Sequence, residues 1–560
     1  MRLRFLLAIS VLMFTSAAFG QNGTMTVITG LNTVEEHLGS SAAPDPTIAV
    51  GTLDFCEHVN SAYQCWYKSG ANAFQPINFM GNTSPKADTT IWSQNGNNSG
   101  NTPNCPTANS PNAQLLHDNV YNRWIMQKRI DSAINGHEYL CVAISNVEDV
   151  SQTNPSFNWF AYEFDLDTVI PKNAEGNYYY PDYPQAGLWQ ASQTTTPPYP
   201  AAKNQAMWIT YDLQDINNDY NINGVLVCAV DLAGLRASTG NPWTNKSHTP
   251  ACAVAHALTA YNQRRSWMPA NNSDTTPPIT NDGEMFSYMI EPAHNHGYLT
   301  NPIATQAVEQ WTISWTAAVP KATFVNGWNL PSTAKTGDQL ACFIATNYYD
   351  TVCIPQPSTA KTGIYIDSVG DRMQQLFHYT SNGGQGGIWT SAHTIQINPS
   401  QVLSQTEADL RILHWSTTVP PAIQVAADYP VTDPLDPNAY VSLPSVARDH
   451  VGNLQGILNV SGAGSNEHPG LDSLYMIPST STVGSYGFIA NPNTDGDAED
   501  TDPADYRWGD WDGAVLDPSD SCTVWVVGEY LPVNRTSSPN WYTAIAQLPP
   551  LSSCSAASVR

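Results

Sequence analysis

The chain has 560 residues, with 22 basic against 48 acidic side chains and only 12 % charged residues in all. So acidic a surface repels nucleic acid and anionic membranes at long range, which argues against partners of either kind. With 41 Pro, 36 Gly and 10 % aromatics, and polarity supplied mainly by Asn, Thr, Ser and Gln, the composition fits an all-β protein with many turns rather than a helical bundle or a polyelectrolyte tail.

The first residues read as a secretory leader. Arg2 and Arg4 form a basic start, Phe5 to Phe14 a short apolar run, and Ala18-Phe19-Gly20 a small-residue cleavage site, predicting a mature chain from Gln21. The run is too short for a membrane span, and no later stretch reaches about 18 apolar residues. Without the two leader arginines, 20 basic residues face 48 acidic ones, a net charge of −28. The expected compartment is extracellular or periplasmic, and the expected state is a monomer.

Residues 21–43 follow as a polar lead-in, 44–550 as the folded domain and 551–560 as a tail. From Pro44 onward strand-like runs recur between turn-rich gaps. They are His58 to Asn60, Tyr139 to Ile144, Asn158 to Phe164, Met207 to Tyr211, Gly224 to Val230, Gln310 to Trp315, Ala341 to Ala345, Leu376 to Tyr379, Thr394 to Ile397, Arg411 to Trp415, Leu454 to Val460, Val524 to Val527 and Trp541 to Ala546. Val402 to His414 has helical spacing, but its neighbours favour a loop followed by a strand. A sandwich of about 100 residues cannot use so many strands, and no long low-complexity linker divides the chain. One β-propeller of about seven four-stranded blades accounts for them, with six or eight also fitting the degenerate repeat.

Ten cysteines after a leader imply disulfides. No Cys-x-x-Cys occurs, which weakens a zinc or thioredoxin-like reading. Local spacing favours Cys56–Cys65, Cys228–Cys252 and Cys342–Cys353, and leaves the pairing of Cys105, Cys141, Cys522 and Cys554 open.

The chain also repeats a motif. Arg507 to Pro518, followed by Cys522 to Val527, echoes Asp118 to Trp124, followed by Ile125 to Gln127: an Asp-bearing turn, an Arg-Trp pair and a strand. Asp449-His450-Val451-Gly452-Asn453 is a further tight turn, with Asp accepting backbone N–H bonds and Gly taking a positive φ. Such turns are similar to the Asp boxes of sialidase-type propellers, although the Ser-x-Asp-x-Gly-x-x-Trp spacing is not met.

Together with Pro44-Asp45, Ala49-Val50-Gly51, Asn112 to Trp124, Pro181-Asp182-Tyr183-Pro184, Cys353 to Pro357, Asp371-Arg372, Pro444 to Ala447 and Trp541-Tyr542-Thr543, these segments resemble a family of large secreted bacterial proteins with propeller-like sequences and no characterised activity. The resemblance implies a fold and no reaction. Asn112 departs from the family's usual Asp, which puts a carboxylate role there in doubt. Trp511-Asp512 replaces a more usual Tyr-Ser and adds a carboxylate.

Signatures of a serine esterase, a zincin, an NTPase and a dinucleotide enzyme are absent. Two functions remain open. One is an extracellular binding or cell-surface module, with a glycan as the candidate partner. The alternative is a carbohydrate-active enzyme, a glycoside hydrolase or polysaccharide lyase, whose paired carboxylates meet only in three dimensions. Its candidate residues are Asp45, Asp118, Asp182, Arg123, Arg448, Arg507 and Asp510, the arginines being suited to grip an acidic sugar. The competing reading ties the same arginines and aspartates together as structural ion pairs.

Calcium is the candidate cofactor. The acidic loop with Asp495, Asp497, Glu499 and Asp500 offers hard oxygen ligands at close spacing, and a solvated loop explains it equally well. Asp215 to Asn221 reads as a hairpin turn. His294-Asn295-His296 could offer two imidazoles, although a loop accounts for it more simply. His117-Asp118 could form an acid–base pair, except that neighbours in a strand point to opposite faces.

Overall fold

The computed structural model describes residues 24–32, 44–78, 83–93, 104–106, 113–132, 134–151, 157–190, 205–215, 221–237, 250–255, 267–272, 275, 283–291, 305–315, 319–329, 353–354, 366–367, 373, 375–380, 387–397, 407–416, 439–462, 468–477, 482–491, 511–531 and 541–554. Among these the chain is all-β. Seven sheets of four or five strands follow one another, with one further two-stranded pair, Cys353–Ile354 and Ile366–Asp367. Only short helices interrupt them, at Thr89–Ser93, Leu166–Thr168 and Leu232–Ala237.

The first three sheets are plain antiparallel meanders. Sheet 1 holds Pro46–Val50, Asp54–Val59, Ala62–Tyr67 and Lys86–Ala87; sheet 2 holds Ala113–Asp118, Arg123–Asp131, Glu138–Ser145 and Trp159–Asp165. Sheet 3 holds Tyr180–Gln190, Gln205–Asp215, Asn221–Asp231 and Ala251–Val254. In sheet 4, Met268–Pro269 pairs with Gly283–Glu291 and is followed by Thr305–Ser314 and Lys321–Asn329. Sheet 5 takes Asn271–Asn272 as a parallel neighbour of Gln375–Thr380, then Gly387–Ile397 and Glu407–Ser416. Sheet 6 runs Tyr440–Arg448, Leu454–Ser461, Gly470–Ile477 and Thr482–Gly484, with Phe488–Ala490 also on the third strand. Sheet 7 joins Gly513–Leu516, Val524–Tyr530 and Tyr542–Leu548 to Thr26–Asn32.

That last pairing gives the 21–43 lead-in a structural part: its strand lies antiparallel on Tyr542–Leu548 and ties the two ends of the chain together. The tail is anchored as well, since the Cys522–Cys554 disulfide reaches into it. The first strands of sheets 1 to 4, Gln375–Thr380 of sheet 5 and the first strands of sheets 6 and 7 lie against one another in turn, and that of sheet 7 lies against that of sheet 1. Side chains help to seam them: Thr47 Oγ1 accepts the Leu115 N–H at 3.1 Å, and Gln114 Oε1 accepts the Ala186 N–H at 2.8 Å.

The core lies between adjacent sheets. Ala49, Trp92, Leu115 and Trp124 pack between sheets 1 and 2; Ile125, Tyr162, Met207 and Tyr211 between sheets 2 and 3; Ile48, Phe55, Trp525 and Ile545 between sheets 7 and 1. Strands covered on both faces lose the polar/apolar alternation of a half-exposed sheet. Gln205–Asp215 is buried at every position.

All the strand-like runs of the sequence coincide with strands except Ala341 to Ala345, which lies outside the described residues. Glu407–Ser416 is a strand, as the strand part of that reading expects, and residues 402–406 lie outside the described residues. Cys56–Cys65 and Cys228–Cys252 join facing residues of neighbouring strands, and the open set resolves to Cys105–Cys141 and Cys522–Cys554. The expected Cys342–Cys353 pairing is untested, because Cys342 lies outside the described residues.

Candidate active site

The first strands present two ends. At their C-terminal ends the carboxylates are consumed by local structure. Asp118 Oδ1 accepts the N–H groups of Val120 and Tyr121 at 3.0 and 2.9 Å, and Oδ2 accepts Arg236 Nη1 at 2.9 Å. Burial raises the Asp118 pKa, against Arg236 and those N–H groups. Arg123 donates to the carbonyls of Tyr121 and Asn122, so it is held by its own turn.

Asp449 Oδ1 accepts three N–H groups, from Val451, Gly452 and Asn453. Gly452 sits at φ +105°, and Arg448 packs so close behind it that a Cβ there would lie 2.7 Å from Nη2. In sheet 7 Asp517 plays the same part, accepting from Ser519 N–H, Lys68 Nζ and Trp525 Nε1. Among the described residues the structural counterpart of Asp118 with Trp124 is Asp517 with Trp525; the Arg507-Trp508 pair lies outside them. Asp512, the extra carboxylate, is buried and bonded to Asn459 Nδ2 at 2.6 Å, and burial raises its pKa well above the ordinary range.

The opposite end is built differently. Arg129, at the end of the second strand of sheet 2, donates Nη1 to Glu138 Oε2 at 2.8 Å and Nη2 to the Tyr180 hydroxyl. Its guanidinium lies 4.2 Å from the centre of the Tyr180 ring. Two residues on, Asp182 Oδ2 accepts Gln214 Nε2 at 2.7 Å. Asp182 also acts electrostatically on Arg129, after Glu138 and Tyr180.

Glu138 and Asp182 are both partly exposed, whereas Arg129 is only 5 % exposed. Burial pushes the Glu138 carboxyl up to about 7; Arg129 opposes the shift, and Asp131 and Asp167 add to it. Beneath them the Tyr211 hydroxyl is buried without a hydrogen-bond partner, and burial raises its pKa. A carboxyl that holds its proton near neutrality beside a second carboxyl is equipped for general acid catalysis.

At the mouth where the first strands begin, Tyr183 and Trp511 meet edge to face with ring centroids 5.8 Å apart. Asp45 is buried there, its N–H donating to Asn60 Oδ1 at 2.9 Å. Asn60, Tyr183 and Leu443 all adopt left-handed backbone, with φ of 50°, 49° and 45°. For Tyr and Leu that conformation is costly and marks a shaped segment.

Of the seven residues expected to form one catalytic centre, Asp118, Arg123 and Arg448 thus lie at one end and Asp45 and Asp182 at the other. Arg507 and Asp510 lie outside the described residues, as do the acidic loop with Asp495, Asp497, Glu499 and Asp500, the His294-Asn295-His296 segment and Asp371-Arg372. Sequence reasoning missed Arg129 and Glu138. The available signal was Lys128-Arg129 inside a strand that is otherwise largely apolar, in a chain poor in basic residues. Lys128 is fully buried and paired with Asp88 at 3.0 Å, which leaves Arg129 as the member facing the partly open carboxylates.

No family model and no curated protein matches the chain. Among solved structures it is similar to a thermostable family-43 glycoside hydrolase, at 9 % identity over 84 % of this chain and 100 % of that one, with a TM-score of 0.31. It is also similar to a protein of unknown function from Dyadobacter fermentans, at 8 % identity over 93 % and 99 % with a TM-score of 0.34. A third likeness is to the catalytic domain of the Coprinopsis cinerea GH62 α-L-arabinofuranosidase, at 9 % identity over 78 % and 90 % with a TM-score of 0.28. At such identity and overlap they assign no activity to this chain.

Proposed function

We propose that the chain is a secreted, closed seven-bladed propeller that hydrolyses neutral glycans, with Glu138 as the proton donor and Asp182 as the second carboxylate. The observation that carries this reading is the partly open Glu138 carboxyl, held from one side by Arg129 Nη1 at 2.8 Å, with burial pushing its pKa up. Protonated at the working pH, it can give its proton to a departing glycosidic oxygen. Asp182, across Arg129, would act as base or nucleophile, and the Tyr183–Trp511 pair would offer aromatic faces for sugar stacking.

The neutral reading rests on three described arginines that are already engaged, Arg129 by Glu138, Arg236 by Asp118 and Arg123 by turn carbonyls. An acidic sugar would have to displace one of these. For these three arginines this favours a hydrolase over a uronate lyase; Arg507 of the expected arginine grip lies outside the described residues.

The test is a panel of neutral and acidic polysaccharides with purified mature protein, reading reducing ends and unsaturated-uronate absorbance together. New reducing ends from a neutral glycan, lost in Glu138→Gln, are expected. Unsaturated products from an acidic glycan would overturn the assignment. A second reading, binding without turnover, is favoured by the dispersal of the sequence candidates to opposite ends. Pull-down on the same panel with no product would establish it.

A further inference from the structure

Asp88 sits in the turn that follows Lys86–Ala87, the outer strand of sheet 1. Its N–H donates to the Ser61 carbonyl at 2.7 Å and its own carbonyl accepts the Ile91 N–H at 2.8 Å, so the backbone is fixed on both sides of the carboxyl. Oδ1 accepts Lys128 Nζ, from the second strand of sheet 2, at 3.0 Å. His58, from the second strand of sheet 1, stands at the other oxygen, with Nε2 3.5 Å from Oδ2. All three side chains are 0 % exposed.

The surroundings are apolar. Lys128 Nζ lies 4.6 Å from the centre of the Trp92 ring, and Ile91, Trp92 and Met126 belong to the core between sheets 1 and 2. Asp88 Oδ2 and both His58 ring nitrogens are buried without a hydrogen-bond partner. Taking an ammonium and a carboxylate out of water is costly, and a pair with one oxygen left unsatisfied recovers only part of that cost. Such a pair has a second way to lose its charges, which is to lose water and become an amide.

We infer that Lys128 and Asp88 condense into an intramolecular amide that joins sheets 1 and 2 covalently. One proton passes along the 3.0 Å bond from Nζ to Oδ1, leaving an amine and an acid. The amine lone pair forms the Nζ–Cγ bond, and negative charge collects on Oδ2, where an Nε2 proton of His58 meets it. A second Nζ proton moves to Oδ1, the Cγ–Oδ1 bond breaks and water leaves. The amide keeps Oδ2 as its carbonyl oxygen and one proton on nitrogen, so the step balances without oxidant or co-reactant. Holding amine and acid in contact replaces the encounter that limits this reaction between free molecules. Full burial denies bulk water to the reverse hydrolysis. Lys68 and Asp517 form the natural comparison. They too are in contact, at 2.8 Å, but Lys68 also donates to Gly51 and Ser519, and Asp517 also accepts from Ser519 and Trp525. The inference does not depend on the hydrolase reading.

The experiment is intact-mass spectrometry of the reduced, urea-unfolded mature protein, followed by tryptic mapping. Expected are a mass below that of the sequence by one water, no cleavage after Lys128, and a branched peptide joining Asp88 to Lys128, with Lys68 and Asp517 unlinked. Lys128→Arg keeps a cation beside Asp88 without a nucleophilic amine and should show the full mass. His58→Phe should form the link about 10²-fold more slowly, with the branched peptide followed over time and circular dichroism showing that the variant is folded. Full wild-type mass with cleavage after Lys128 would overturn the inference and leave a buried ion pair, whether or not either variant folds. A water deficit that maps to other residues, or that persists in Lys128→Arg, would overturn it too. Equally fast linkage in folded His58→Phe would overturn the part given to His58.

Discussion

The two ends of the first strands use the same residue types to different effect. At the C-terminal ends, Asp118, Asp449 and Asp517 each saturate their oxygens with N–H groups two to four residues ahead and with a neighbouring polar side chain. At the N-terminal ends, Glu138 and Asp182 are held by single side-chain bonds from Arg129 and Gln214, and both remain partly open to solvent. A carboxylate whose lone pairs are spent on its own turn is a structural part. One held from the side by a distant cation keeps chemistry in reserve.

The largest effects should separate the ends. Glu138→Gln keeps the Arg129 contact in shape but removes the proton donor. Turnover of the hydrolysed glycan should fall by about 10²–10⁴-fold with the unfolding midpoint little changed. Asp118→Ala should do the reverse. It strands Arg236 in a largely buried site, since the pair is 12 % and 0 % exposed. Breaking such a pair costs about 3–5 kcal/mol, measurable by urea unfolding, and leaves the chemistry of the surviving folded fraction intact.

A pH effect comes next. Burial raises Asp54 to about 7, with Asp149 and Glu148 adding to the shift and the Val150 N–H opposing it. The folded state therefore holds this proton more tightly than the unfolded chain. Its contribution is complete below the ordinary Asp range and is lost as pH rises towards 7. Asp54→Asn should flatten the pH dependence of stability in that window, by up to about 4 kcal/mol. The smallest effect is expected at Gly452. Alanine at φ +105° against Arg448 should cost about 1–2 kcal/mol and leave activity unchanged.

The same contrast explains what the sequence revealed. The Asp turns are legible because their bonds join residues two to four apart, so Asp449 with Gly452 announces itself in the chain. The facing disulfides Cys56–Cys65 and Cys228–Cys252 are legible for a related reason, as hairpin partners. The pairing of Thr26–Asn32 with Tyr542–Leu548 joins opposite ends of the chain, and nothing local in a polar lead-in signals it. Glu138 was equally hidden. Its environment comes from Arg129 across a hairpin, Asp167 beyond the next strand and Tyr180 from the next sheet. Asp182 was visible as a candidate, but its neighbours there were not.

The most direct test is the pH dependence of kcat/KM on the neutral glycan that the wild-type protein cleaves, set beside Glu138→Gln. The account predicts activity that falls as pH rises through about 7, where burial and neighbouring carboxylates place the Glu138 titration, and no such limb in the variant. Activity that stays level from acid through neutral pH, or a Glu138→Gln protein that cleaves as fast as the wild type, would contradict it.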